Sequence, residues 1–120
     1  MSHILLVEDN VDMRALLGEM LVYGKHTVMT GRTGEEALDV MNSTEALPEL
    51  IISDLNMPRL DGLGLLNAVR QNPNWKTVKF VIMSANVNDD RLTPDIISSL
   101  DGIIPKPFNL DDLNIFLSRV

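Results

Sequence analysis

The chain has 120 residues, no cysteine and a formal net charge of −7 at pH 7. The lack of cysteine excludes disulfides, thiolate metal sites and cysteine catalysis. An acidic chain is repelled by a nucleic acid backbone, and no apolar stretch approaches the ~20 residues that span a bilayer. We therefore expect one cytoplasmic domain over residues 1–120 that binds neither nucleic acid nor membrane.

Short apolar runs alternate with helical patterns along the chain. Runs without polar alternation predict strands that are buried on both faces, as in a parallel sheet covered by helices. The predicted strands are 4–7, 27–29, 50–53, 78–83 and 103–104. The predicted helices are 11–23, 34–42, 62–72, 94–100 and 110–119. This alternation predicts an α/β fold, a (βα)5 doubly wound sheet of five parallel strands. Trp75, after the third helix, is expected to be a partly exposed loop anchor.

Several helix ends carry capping signals. Thr33 with Glu36 predicts a capping box at the second helix, and Asn109 predicts the N-cap of the fifth. Gly24 suits the C′ position after the first helix. The fourth helix is expected to begin at Pro94, because a proline inside a helix costs about 3 kcal/mol. That start makes the fourth helix short and the loop before it long.

Polar side chains stand where four of the predicted strands end. Glu8 and Asp9 follow the first strand, Asp54 the third, Ser84 the fourth and Lys106 the fifth. In an open parallel sheet, ligands bind at the edge formed by the carboxyl ends of the strands. The flavodoxin-like strand order 2-1-3-4-5 places the first strand beside the third. We therefore expect the three acids to converge, flanked by the serine and the lysine.

The three carboxylates predict a divalent metal. Like charges a few ångströms apart repel each other, and such a cluster persists when a cation or a proton relieves the repulsion. Mg²⁺ is the expected cation, because it is bound by one or two carboxylates together with water and phosphate oxygens. A single acid at a strand end is more often a solvated loop residue. The prediction therefore depends on the convergence of all three.

Lys106 and Ser84 predict a bound phosphoryl group. Lys106 lies between Pro105 and Pro107, which restrict its backbone, and a compact ammonium can neutralise a phosphoryl or carboxylate oxygen. The bond before Pro107 is a candidate cis peptide. A serine at a strand end either caps backbone groups in a turn or donates to a phosphoryl oxygen. The neighbouring polar groups favour the second role for Ser84.

These motifs, in this order and spacing, resemble the receiver domain of two-component response regulators over essentially the whole chain. The matching segments are Glu8-Asp9, Gly34 to Leu38, Asp54 with Met57-Pro58 and Gly62, Ser84-Ala85, and Lys106-Pro107-Phe108. The resemblance implies a phosphoryl-accepting signalling switch. Such a domain is not a conventional enzyme, although it has autophosphorylation and slow autodephosphorylation chemistry of its own.

The resemblance also implies roles for the acids and the lysine. Asp54 would be the phosphoacceptor, supplied by a sensor histidine kinase or a phosphotransfer protein. Asp9 and Asp54 would bind Mg²⁺ directly, or Mn²⁺ in its place. Glu8 would contribute through water and Asn56 through its backbone carbonyl. Lys106 would pair with the acceptor and then with the phosphoryl group.

The remaining implied roles concern the phosphoryl oxygens and the conformational switch. The Ser84 hydroxyl, the Ala85 backbone amide and Asn56 would contact the phosphoryl group. Ser84 and Ile103 would form the switch that a downstream protein or effector domain senses. The family usually has tyrosine or phenylalanine where this chain has Ile103. Without a ring to move, activation is expected to use other elements or to produce a smaller change.

Two other functions compete with this one. A magnesium-dependent phosphohydrolase also uses an aspartate nucleophile on an α/β sheet. Its acid/base aspartate, two positions after the nucleophile, is here replaced by Asn56, and the chain offers no cap domain for a substrate. A receiver that docks partners without phosphorylation is compatible with Ile103, but the intact set of acids, serine and lysine argues against it.

Overall fold

Strands and helices alternate along the chain in the computed structural model, which describes residues 2–120. The strands are β1 (His3–Val7), β2 (Thr27–Gly31), β3 (Leu50–Asp54), β4 (Lys79–Ser84) and β5 (Gly102–Pro105). The helices are α1 (Val11–Tyr23), α2 (Gly34–Ser43), α3 (Gly62–Gln71), α4 (Pro94–Ser99) and α5 (Leu110–Leu117). A short 3₁₀ turn, Pro73–Trp75, follows α3. The predicted elements are therefore confirmed, apart from this turn and shifts of one or two residues at their ends.

The five strands form one parallel sheet in the order β2-β1-β3-β4-β5. This is the predicted flavodoxin-like order. It makes β1 and β3 neighbours, with Val7 aligned to Ser53. The segments that leave these two strands at their carboxyl ends therefore start side by side.

The core lies on both faces of the sheet. Along β1, Ile4 and Leu6 pack with Leu17 of α1 and Leu113 of α5. The alternate residues of the same strand pack on the opposite face against α2 and α3. Burying one such aliphatic side chain stabilises the fold by roughly 1.5–3 kcal/mol. Burial on both faces explains why these strands appear in the sequence as unbroken apolar runs.

One of the two predicted N-terminal capping arrangements differs in detail, and the other, at Asn109, is confirmed. Thr33 accepts a hydrogen bond from the Glu36 amide at 3.1 Å. The Glu36 carboxylate does not complete the box on Thr33 but accepts from the Arg32 amide at 3.1 Å, one residue earlier. The full reciprocal box occurs at α5, where Asn109 and Asp112 each accept from the other's amide. The carboxylate of Glu36 is diverted because it also pairs with the Arg32 guanidinium at 2.7 Å.

Two expectations about the loops are wrong. Gly24 continues the last turn of α1 with φ −74°, and the left-handed conformation falls on Lys25, with φ 68°. Trp75 is only 7% exposed, because the 3₁₀ turn packs its ring into the core beside Val69 and Val78. By contrast, α4 begins at Pro94 as predicted. Within residues 2–120, no helix has the length and apolar character needed to cross a membrane.

Candidate functional site

The structure brings together the acids that follow β1 and β3. One carboxylate oxygen from each of Glu8, Asp9 and Asp54 lies within 4.8 Å of the other two. The acids differ in exposure: Glu8 is buried, Asp9 is exposed and Asp54 is intermediate. Within residues 2–120, this is the one group of three histidine or carboxylate side chains that could meet at a single ion. The predicted convergence is thus present in the fold.

Glu8 is fixed by its surroundings. Its amide donates to the Gly31 carbonyl at 3.1 Å, and its own carbonyl accepts from Arg14 Nη1 at 2.9 Å. The Asn10 amide donates to Glu8 Oε2 at 3.3 Å, while Asn10 Oδ1 caps the start of α1 by accepting from the Met13 amide. The carboxylate is 1% exposed, so the geometry of the loop after β1 determines its direction.

The start of α3 packs directly against the backbone of Asp54. The Gly62 amide donates to the Leu55 carbonyl at 3.0 Å, and the Leu55 amide donates to the Met83 carbonyl of β4 at 3.1 Å. A Cβ atom on Gly62 would overlap the carbonyl oxygen of Asp54. Glycine is therefore required by this close approach. The same approach holds Asp54 at the carboxyl edge of the sheet.

Lys106 reaches the acid cluster from the end of β5. Its Nζ lies 3.0 Å from Glu8 Oε1 and 3.2 Å from Asp54 Oδ1. The predicted cis peptide between Lys106 and Pro107 is present. Burial acts to lower the pKa of Lys106, but the hydrogen bond to Glu8 and the charges of Asp54 and Glu8 outweigh burial and raise it. The ammonium is therefore charged at neutral pH and partly balances the acids.

Ser84 lies next to Lys106 at the carboxyl edge of the sheet, but in this conformation its hydroxyl bonds to Asn86 and not to the acids. Its hydroxyl donates to the Asn86 carbonyl at 2.8 Å and accepts from the Asn86 amide at 3.1 Å. Its backbone carbonyl accepts from the Lys106 amide at 2.8 Å, so the two residues are joined through the main chain. The next residue, Ala85, is exposed. In this conformation Ser84 thus caps the turn, which is the alternative to the phosphoryl-donating role that the sequence favoured.

Ile103 lies on the α2 and α3 side of the sheet. It is paired with Ile82 of β4 and packs against the apolar core on that face. It is neither fully buried nor exposed. The Asp101 amide, just before β5, donates to the carbonyl of Phe80 in β4 at 2.8 Å. This bond holds the start of β5 against β4. Ile103 is therefore packed beside β4 as part of the apolar core on this face.

Arg91, which the sequence did not identify, spans the mouth of the site. It holds Asp89 through Nε at 3.0 Å and Nη2 at 2.8 Å. Arg91 Nη2 also donates to Asn56 Oδ1 at 2.6 Å, and Nη1 lies 3.8 Å from Asp61. The Arg91 guanidinium lowers the pKa of Asp89 to about 2. Arg91 comes from the long loop before α4 and belongs to no motif, so the sequence carried no signal for it.

An open cleft of about 310 Å³ lies beside the acid cluster. Its lining residues are Asp9, Asn56, Met57, Pro58, Asp61 and Arg91. A cavity of about 360 Å³ lies at the opposite edge of the sheet, around Pro48 and Lys79, and among the described residues 2–120 it holds no group of three converging acids. The donors at the acid cluster are all carboxylate oxygens, which suits a hard cation such as Mg²⁺ and does not suit metals that prefer nitrogen or sulfur.

Known proteins share this sequence pattern and this fold. A family model described as the response regulator receiver domain matches residues 4–117. A probable chemotaxis protein CheY of Rhizobium etli is 35% identical over 120 residues, which cover 98% of this chain and 90% of that protein.

Two solved structures extend the comparison. The Vibrio cholerae chemotaxis protein CheY4 superposes with a TM-score of 0.85 at 27% identity, covering 100% of this chain and 98% of that one. The receiver domain of sensor histidine kinase PA1611 from Pseudomonas aeruginosa has a TM-score of 0.85 at 26% identity, covering 98% of this chain and 95% of that one. The latter structure has a magnesium ion coordinated in its active site cleft.

Proposed function

The chain belongs to the family of response regulator receiver domains, the phosphoryl-accepting switches of two-component signalling, and we propose that Asp54 is its phosphoacceptor. The observation that carries this proposal is the position of Asp54. It is the partly exposed acid of the cluster, it ends β3, and one of its oxygens lies 3.2 Å from Lys106 Nζ. Glu8 is buried and is therefore poorly placed to meet a phosphodonor.

The proposed reaction forms one bond and breaks one. A carboxylate oxygen of Asp54 attacks the phosphorus of a phosphohistidine on the donor protein, and the bond between phosphorus and the histidine nitrogen breaks. The electron pair of that bond stays on the nitrogen, and Asp54 becomes an acyl phosphate. Phosphoryl transfer requires mainly positioning and charge neutralisation from the protein. The ammonium of Lys106 supplies one positive charge beside the acceptor.

The acid cluster suits Mg²⁺, with Asp9 and Asp54 as direct ligands, Glu8 acting through water and the Asn56 carbonyl as a further oxygen donor. When bound, the ion would neutralise the carboxylates and the phosphoryl oxygens. Mn²⁺, which also accepts oxygen donors, is the expected substitute. The magnesium ion coordinated in the receiver domain of the Pseudomonas aeruginosa kinase supports this assignment.

We assign Ser84 and the loop after β4 to the response that follows phosphorylation. The Ser84 hydroxyl now donates to the Asn86 carbonyl, and it must give up this bond before it can donate to a phosphoryl oxygen. Release would also free Asn86. The Ala85 amide and the Asn56 side chain are the other phosphoryl contacts that we propose. Ile103, packed beside β4, would sense the movement of this loop through its apolar neighbours.

Receiver domains act with histidine kinases and effector domains. For this chain, we propose that the phosphodonor is a histidine kinase or a phosphotransfer protein that docks beside Lys106. The surface there is apolar: a concave patch on α1 and the loop after β5 includes Met13, Leu16 and Phe108, and Leu16 is 52% exposed. An exposed apolar patch next to a reactive group is typical of a protein docking site. A cytoplasmic location and the nature of the downstream protein or effector domain stay predictions.

The test of Asp54 uses a donor without a protein partner. Acetyl phosphate with Mg²⁺ should add one phosphoryl group, observed by mass spectrometry of the intact protein and removed by hydroxylamine. Asp54→Asn should abolish the addition. Asp61→Asn is the matched control, because Asp61 lines the same cleft and asparagine preserves its role as N-cap of α3.

Two results would overturn the assignment. One is labelling of Asp54→Asn to the same extent as wild type. The other is loss of labelling in a folded Asp61→Asn variant while Asp54→Asn retains it.

The docking surface is tested at Leu16. Leu16→Glu should slow transfer from a phosphorylated partner kinase and leave labelling by acetyl phosphate unchanged. Equal slowing with both donors would contradict a docking role.

A further inference from the structure

At the mouth of the acid cluster, Arg91 contacts the side chain of Asn56, whose oxygen could otherwise bind a water for hydrolysis. The guanidinium of arginine has donors only, so the group it faces on an asparagine must be the carbonyl oxygen. Arg91 Nη2 donates to Asn56 Oδ1 at 2.6 Å. The amide of Asn56 is therefore oriented with its oxygen toward Arg91 and its NH₂ group away from it.

The position of Arg91 is itself well determined by its other contacts. Asp89 accepts from Arg91 at both carboxylate oxygens, at 3.0 and 2.8 Å, and from the Arg91 backbone amide at 2.9 Å. The guanidinium also lies 3.8 Å from Asp61. A planar guanidinium bound at both ends in this way loses little further freedom when it adds one more hydrogen bond. Arg91 thus holds the loop before α4 to the loop after β3.

The hydrogen bond from Arg91 takes up part of the acceptor capacity of Asn56 Oδ1 in the cleft. Hydrolysis of an acyl phosphate on Asp54 requires a water to be held in line with phosphorus, and an acceptor for one of its hydrogens holds it best. The carboxylate of Asp9 belongs to the proposed metal site, and Asp61 already accepts from the Gly64 amide at 2.8 Å. Asn56 Oδ1 is a neutral side-chain acceptor on this wall, and Arg91 already uses one of its two lone pairs, in competition with water.

We propose that Arg91 is a positioning residue that prolongs the phosphorylated state by competing with water for Asn56 Oδ1. This inference rests on the proposed function of Asp54. In the step that Arg91 slows, a water oxygen bonds to phosphorus and the bond from phosphorus to the Asp54 oxygen breaks. The electron pair returns to the carboxylate, and both water hydrogens leave on the released dihydrogen phosphate. Arg91 acts on this step through Asn56 and is not a catalytic residue.

The experiment measures the decay of the acyl phosphate after acetyl phosphate is removed, with Mg²⁺ present. Arg91→Met keeps the length of the side chain and removes its donors. The decay should become faster by about threefold to tenfold, the range that one hydrogen bond supplies. Arg91→Lys, which retains one donor group, should give an intermediate rate. Arg32→Met is the control for loss of a positive charge, since Arg32 pairs with Glu36 on the surface of α2.

A double-mutant cycle separates this role from a general effect on the fold. In an Asn56→Ala background, Arg91→Met should no longer change the decay rate. A second readout needs no phosphorylation: the side-chain amide NMR signals of Asn56 in the metal-free protein should shift in Arg91→Met and not in Arg32→Met. The melting temperature should be similar in all single arginine variants, because both arginines are at the surface.

The outcomes distinguish this inference from the proposed function. If Asp54→Asn is still labelled, the assignment of Asp54 fails, and the decay measured here belongs to another residue. If Asp54 is the labelled residue but Arg91→Met decays at the wild-type rate or more slowly, only the role of Arg91 is overturned. The role is equally overturned if Arg91→Met speeds decay to the same extent in the Asn56→Ala background.

Discussion

Lys106 Nζ lies 3.0 Å from Glu8 Oε1, and Glu8 is 1% exposed. The ammonium that we propose assists phosphoryl transfer is therefore also the counter-ion of a buried carboxylate. Its second contact, at 3.2 Å, is with Asp54. The two contacts connect stability and reactivity in one side chain, because the loss of Lys106 leaves charge uncompensated at both acids.

Replacement of Lys106 by methionine should lower the stability of the metal-free protein. A buried charge that loses its partner costs several kcal/mol, and the partial exposure of Lys106 reduces this to about 2–4 kcal/mol. Urea unfolding at neutral pH measures the change. Adding Glu8→Gln to Lys106→Met should restore part of the loss. If Lys106→Met alone is as stable as wild type, the ion pair contributes nothing to the fold.

Mg²⁺ should raise the melting temperature, because the ion is proposed to bind the native acid cluster and the unfolded chain does not hold these groups together. Asp9→Asn should reduce this response. In the absence of metal the same variant should be more stable than wild type, since one of three converging negative charges is removed. Asp39→Asn on α2 is the control for charge. An unchanged response to Mg²⁺ in Asp9→Asn would show that Asp9 is not a ligand.

Gly62→Ala should destabilise the fold and disturb Asp54. The added methyl group would overlap the Asp54 carbonyl oxygen, which belongs to the backbone and cannot rotate away. Overpacking of this kind costs about 1–3 kcal/mol. Gly18→Ala is the control: a Cβ there meets nothing within 4 Å. Since Gly18 lies inside α1, that change should stabilise by up to about 1 kcal/mol. Thermal unfolding of both variants, with labelling by acetyl phosphate, measures the two effects.

The sequence predicted the fold and the acid cluster well because both depend on local patterns. Apolar runs identified the strands, and the carboxyl ends of parallel strands meet at one edge, so Asp54 and Lys106 could be placed together without any coordinates. The flavodoxin-like order of doubly wound sheets supplied the neighbouring positions of the first and third strands. The individual roles of Asp54 and Lys106 in phosphoryl transfer stay predictions that the experiments above test.

The sequence could not predict features that depend on long loops. Arg91 reaches Asn56 from 35 residues further along the chain, and only the folded path of the loop before α4 brings them into contact. The left-handed conformation falls on Lys25, since the Gly24 amide still donates to the Met20 carbonyl and so extends the helical hydrogen bonding by one residue. Trp75 was buried by a 3₁₀ turn that no periodic pattern marks. All three features depend on contacts in the folded chain that cannot be predicted from the local sequence.

The stability of the protein should depend on the protonation of His26. Burial lowers the pKa of His26, the positive charge of the amino terminus adds to this, and Glu49 acts in the opposite direction. His26 Nδ1 also accepts a hydrogen bond from the Ser2 amide at 3.1 Å, which a proton on that nitrogen would break. As the pH falls below the unfolded value of 6.5, the unfolded chain takes up the proton first, so stability decreases.

Urea unfolding at about pH 7.5 and about pH 5.5 measures this loss, with His26→Gln showing a smaller decrease than wild type. His3→Gln is the control for removal of a histidine, and carboxylates that titrate in this range affect all three proteins alike. A His26→Gln variant whose stability falls as steeply as that of wild type would contradict the prediction.

Arg70 should be the strongest stabilising arginine outside the site. From the last turn of α3, its Nη1 donates to the Val78 carbonyl at 2.7 Å and its Nε to the Ser99 carbonyl at 3.1 Å. Its Nη2 lies 3.2 Å from Asp101 Oδ2, which also accepts from the Phe80 amide at 2.7 Å. One side chain thus joins α3 to the end of α4 and the start of β5.

Arg70→Met should cost about 1–3 kcal/mol, since two backbone carbonyls and a carboxylate lose a charged donor together. Arg32→Met removes an exposed pair on α2 and should cost less than about 1 kcal/mol. Chemical denaturation of the two variants gives the comparison. Hydrogen exchange should localise the loss to α4 and the start of β5, because these segments depend on Arg70 for their attachment to α3. If the free energies of unfolding of Arg70→Met and Arg32→Met are equal, water replaces the three hydrogen bonds of Arg70 without loss of stability.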